Sequence, residues 1–147
     1  MGFGIRQLVD TACKALSPAV NDPYTAVQSV HHLSDVLVAL AARSLGSRVT
    51  HRRDGTLVVP GRRFADYLAA AVGPIRRYGA AEPTVAVALL ELMTMCASTP
   101  RPTGADSHAL RAEAALVLAD AERLTANPAD LRTVHAAYAR LELALAS

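Results

Sequence analysis

The chain has 147 residues, 52% of them hydrophobic and 19% charged, with a formal net charge of +2. That is one domain's worth of chain with enough apolar side chains for a single core, and it excludes a disordered segment. Only 4% of the residues are aromatic and tryptophan is missing, so the core must close through alanine, leucine and valine, which suits helix–helix packing better than a sandwich of sheets.

In chain order, Ile5, Leu8, Val9, Ala12, Cys13 and Leu16 recur at three- and four-residue steps and predict an amphipathic helix over 4–16. The stretch Leu16-Ser17-Pro18-Ala19-Val20-Asn21-Asp22-Pro23 ends it, because two prolines so close together forbid a continuous helix. Asp22 before Pro23 reads as an N-cap followed by a first-turn proline, and Asn21 suits a left-handed turn. A second helix is expected over 23–45, with Val27, Val30, Leu33, Leu37 and Leu40 inward and Gly46 as its stop. Residues 48–59 change period: Arg48 to Arg53, then Asp54-Gly55, then Thr56 to Val59 predict a short β-hairpin around a type I′ turn.

A third helix follows over 63–78, expected to kink near Gly73-Pro74, and Glu82-Pro83 opens a fourth over 83–98. A loop with Pro100, Pro102 and Gly104 leads to a fifth over 107–126, and Asn127-Pro128-Ala129-Asp130 caps a sixth that runs to 146. The fold class is therefore all-α, a bundle of about six helices with a small β-hairpin near 48–59, in one domain over 1–147. A spacing of 60 relates Leu8, Pro23, Ala26, Val27, Val30 and Leu33 to Leu68, Pro83, Ala86, Val87, Leu90 and Met93. On that reading two repeated helical hairpins precede a C-terminal helix pair. The longest apolar run, 84–97, carries Glu91 and is too short to span a bilayer, and Arg6 and Asp10 interrupt any signal-peptide core.

No complete catalytic set is legible. Ser17 lies outside any nucleophile-elbow motif, and Cys13 and Cys96 sit in apolar helical runs as reduced structural thiols. His31 and Asp35 share a helix face but nothing completes a ligand set, so no metal and no cofactor are expected. Gly2-Phe3-Gly4 lacks the rest of a dinucleotide fingerprint. Glu91 is expected partly buried against an arginine, and its repeat-equivalent position is His31. The enzyme question stays open, leaning to no.

Phe3-Gly4-Ile5-Arg6-Gln7-Leu8-Val9-Asp10 with Leu16-Ser17-Pro18-Ala19-Val20-Asn21-Asp22-Pro23 and Thr25-Ala26-Val27 carries a resemblance. The chain resembles the soluble C-terminal domain of a bacterial family of predicted membrane proteins, a domain of unknown function. The resemblance implies transmembrane helices before residue 3, a domain excised from a longer chain, and a place on the cytoplasmic side of the inner membrane. The missing catalytic set and the extended amphipathic helices point to an interaction or regulatory module, and the long apolar helices with a positive mean hydropathy point to a self-associating homo-oligomer. The alternative is a small-molecule-binding or enzymatic domain with its site at the Asn21-Asp22 loop, joined by Arg6, Arg76 and Tyr78. Charge adds a second candidate surface: eight arginines between Arg43 and Arg77 face only Asp54 and Asp66. A solvated face and an anionic membrane surface both fit, the latter through Arg52, Arg53, Arg62 and Arg63. Nucleic acid is disfavoured, because helix-turn-helix and interleaved-aromatic signatures are missing.

Overall fold

The computed structural model describes residues 2–53, 55–100 and 104–147. Six helices and one two-stranded ribbon follow in order: α1 Phe3–Ala15, α2 Pro23–Ala41, β1 Arg48–Arg52, β2 Gly55–Val59, α3 Phe64–Gly79, α4 Pro83–Ala97, α5 Gly104–Leu124 and α6 Pro128–Ala146. This is the all-α bundle with a small hairpin that the periodicities predict.

The helices run alternately up and down, joined by short links except between α2 and α3, where the ribbon intervenes. The Asp22 N–H donates to the Ala15 carbonyl at 2.8 Å, which folds α2 back on α1. A Cβ at Gly79 would lie 2.6 Å from Val85 Cγ1 and 3.1 Å from Leu16 Cδ1, so the C-terminal ends of α1 and α3 meet at the start of α4. Arg76 pairs with Asp120, Glu91 with Arg140, and Arg111 with Glu142, which orders α5 and α6 in the same alternation. One end of the bundle thus holds the α1–α2, α3–α4 and α5–α6 connections and is called here the turn end. The other holds Phe3, the ribbon, the start of α5 and the close of α6, and is called the ribbon end.

Helix α4 is the centre. Nine of its fifteen residues are buried, and it packs on α2, α3, α5 and α6. Leu33 and Leu37 from α2, Leu68 and Ile75 from α3, Leu110 from α5 and Leu141 from α6 are fully buried beside Leu89, Leu90 and Met93. The sixty-residue correspondence is visible in burial: Ala26, Val30 and Leu33 in α2 and Ala86, Leu90 and Met93 in α4 are all buried.

Three expectations need correction. Helix α2 ends at Ala41 rather than 45, because the chain must turn to bring Gly46 (φ +119°) against Gly61 at the base of the ribbon. Helix α5 begins at Gly104 and ends at Leu124, displaced toward the N-terminus from the expected 107–126. Pro74 lies inside α3, which continues past it to Gly79. Glu91 does pair with an arginine, Arg140 at 3.4 Å, but both are exposed, because α4 turns that one narrow face outward. His31 is exposed too, so no polar pair links the two repeats inside the core.

Candidate functional site

At the turn end, Asn21 adopts φ +48°, the left-handed conformation that asparagine tolerates better than most residues. Its N–H donates to the Ser17 carbonyl at 2.9 Å. Both carboxylate oxygens of Asp22 are taken by Thr25, whose N–H donates at 3.1 Å and whose hydroxyl donates at 2.5 Å. The Thr25 hydroxyl bond, then its N–H, hold the Asp22 carboxyl below the usual range. The motif closes a helix start with its own polar groups.

Of the other residues assigned to that loop, Arg6 is placed apart, whereas Arg76 and Tyr78 lie on the last turn of α3 at the same end of the bundle. Arg6 lies on α1 ten residues before Leu16, about 15 Å of helix rise away and toward the ribbon end. Arg76 turns to α5, where it shares Asp120 with Arg123. The bond from Arg123, then the contact with Arg76, lower the Asp120 carboxyl despite its partial burial. Tyr78 is exposed at the turn end, on the terminal turn of α3 that packs near Leu16. Clefts of about 540 Å³ beside Thr99 and Ser147, and of about 350 Å³ between Asp35 and Arg43, touch neither Asn21 nor Asp22. The two thiols are poor nucleophiles: burial pushes Cys96 up to about 12 and is the first cause of the rise at Cys13.

The ribbon end is built differently. Strands β1 and β2 pair antiparallel, Arg48 opposite Val59 and Arg52 opposite Gly55. Asp54, the first residue of the expected Asp-Gly turn, and the Arg52 side chain lie outside the described residues. Every residue from Ser47 to Arg63 whose side chain is described is exposed, so the ribbon stands off the bundle. A Cβ at Gly61 would fall 2.2 Å from the Gly46 carbonyl oxygen, so only glycine allows the two backbones to close its base. Arg6, Arg48, Arg53, Arg62 and Arg63 are all exposed, and among the described residues none of them joins an ion pair. Asp66, the acid nearest in sequence to Arg62 and Arg63, accepts from the Arg63 backbone N–H at 2.8 Å to start α3.

The apolar members of this surface escape a reading based on charge. Val49, Leu57, Val58 and Val59 are between 50% and 56% exposed. The signal is present in the sequence, since three consecutive apolar residues in a strand place apolar side chains on both faces.

The family model for a predicted membrane protein (DUF2254) matches residues 1–95. The chain belongs to this family. Among curated proteins it is 44% identical over 144 residues to an uncharacterized protein of Mycobacterium bovis and to uncharacterized proteins of two Mycobacterium tuberculosis strains. The matches cover 94% of this chain but only 27% of each relative. No solved structure gives a significant match. Within this DUF2254 chain, no described helix is long and apolar enough to cross a membrane.

Proposed function

We propose that this chain is the membrane-proximal interaction domain of a bacterial membrane protein, with its ribbon end turned to the inner leaflet on the cytoplasmic side. One observation carries the reading: exposed arginines with no acidic partner among the described residues gather at the end of the bundle where Phe3 also lies. Arginine near an anionic surface contributes about 1 kcal/mol per residue, and excess arginine beside membrane spans marks the cytoplasmic side. Membership of a membrane-protein family and a match to about a quarter of the relatives' length support a place beside the spans. The domain acts by contact rather than catalysis, since the polar groups at the turn end serve capping.

Self-association belongs to the same proposal. Met95, Leu116 and Leu143 are exposed apolar residues on the flanks of α4, α5 and α6. Copies in one membrane must share an axis perpendicular to it, so such lateral faces are the available contacts. Sedimentation at micromolar concentration should show concentration-dependent dimers or larger species; monomer throughout would end that part.

Vesicle co-sedimentation tests the orientation. The chain should bind vesicles containing phosphatidylglycerol at low salt, and should bind phosphatidylcholine vesicles far less. Serine at Arg48, Arg53, Arg62 and Arg63 together should abolish the difference. Equal binding to both lipids would overturn the reading.

A further inference from the structure

Two observations meet in the ribbon. Cross-strand register puts Leu57 and Val59 on one face with Arg48 and Thr50, and Val49 and Val58 on the other with His51 and Thr56. Each of the four apolar residues is about half exposed, so both faces are apolar and neither is covered by a helix. A two-stranded ribbon standing alone in water is marginally stable. The cross-strand contact Val49–Val58 and the His51 Nδ1–Thr56 Oγ1 hydrogen bond of 3.1 Å are modest support. Whatever covers this element has to cover two faces.

We propose that the β1–β2 ribbon is a lipid-binding element that seats in the interfacial layer of an anionic bilayer. Leu57, Val58, Val59 and Val49 lie at the acyl boundary, and the surrounding arginines hold phospholipid phosphates. The inference rests on the reading that the ribbon end faces the membrane, and adds insertion to it. A helix or a second copy docked on the ribbon covers one face and leaves the other wet, whereas the headgroup layer surrounds both. The layer also stays wet enough to hydrate the free strand edges, which the hydrocarbon core does not allow. Arg48, Arg53, Arg62 and Arg63 join no ion pair among the described residues, which leaves their guanidinium groups available for planar, bidentate contacts to phosphate. Phe3, 77% exposed at the same end, adds an aromatic side chain of the kind found at bilayer interfaces. The close approach of Gly46 and Gly61 holds the two legs of the ribbon together where they leave the bundle.

The chain has no tryptophan, so Leu57→Trp introduces a single reporter. With phosphatidylglycerol vesicles its emission should shift to the blue and fall about twofold when the lipid acyl chains carry bromine. Leu57→Ser with Val58→Ser should weaken partitioning about tenfold while helix melting stays unchanged. If the chain binds anionic vesicles but the tryptophan keeps its exposed emission and the serine pair binds as tightly as the parent, insertion is overturned and the orientation stands. No vesicle binding by the parent chain overturns both readings. A blue shift without vesicles, growing with protein concentration, overturns insertion and makes a second copy the occupant.

Discussion

Where α1 turns into α2, Asp22 gives both carboxylate oxygens to Thr25 and Asn21 occupies a left-handed turn, so the polar residues are spent on holding the chain. At the opposite end, Arg48, Arg53, Arg62 and Arg63 surround an exposed apolar ribbon and find no acidic partner among the described residues. The first region is the more distinctive string of letters, and the second keeps chemistry available for something outside the fold. A recognisable motif can thus be a structural device, while an ordinary run of arginine and valine carries the contact surface.

The comparison breaks if the turn end proves dispensable to stability. Gly79→Val should cost about 3 kcal/mol in chemical denaturation, because its side chain must displace Val85 and Leu16. Gly61→Ala is the counterpart: it should open the ribbon base, speed amide exchange in β1 and β2, and leave helix melting alone. Asp120→Ala should cost about 1.5 kcal/mol by urea unfolding, since it strips the charged hydrogen bonds of Arg76 and Arg123.

Acid sharpens the same contrast. Asp22 and Asp120 bind protons less readily folded than unfolded, so their contribution is full above about pH 4, the ordinary aspartate value. It is lost as pH falls through their lowered folded values. Thermal melts of the parent should fall across that acid range, and Asp22→Ala with Asp120→Ala should flatten the dependence. Asp22→Ala alone should lower the melting temperature by a few degrees and speed exchange only in the first turn after Pro23. The smallest effect belongs to the ribbon end: serine at Arg48, Arg53, Arg62 and Arg63 should change stability by less than about 0.5 kcal/mol.

Much of the fold was legible because local signals agree. Asp22-Pro23, Glu82-Pro83 and Asn127-Pro128 each mark a helix start, and Asp22 and Asn127 make side-chain caps there. The end of α2 was not legible: Ala42-Arg43-Ser44 favours helix, and only the approach of Gly46 to Gly61, set by tertiary structure, stops it. The exposure of Glu91 was hidden for a similar reason, as which side of so apolar a helix faces water depends on α6 supplying Arg140. Arg6 stands near the far end of α1 from the Asn21-Asp22 loop, because a helix carries its ends apart at about 1.5 Å per residue. The basic surface was legible as charge, whereas its apolar half required seeing that the ribbon touches no core.

Hydrogen–deuterium exchange of the chain with and without phosphatidylglycerol vesicles tests the contrast between the two ends most directly. Protection on adding vesicles should appear over residues 47–63 and near Phe3, with no change from Ser17 to Thr25. Protection centred on Asn21 and Asp22, or a uniform absence of change, would contradict the account.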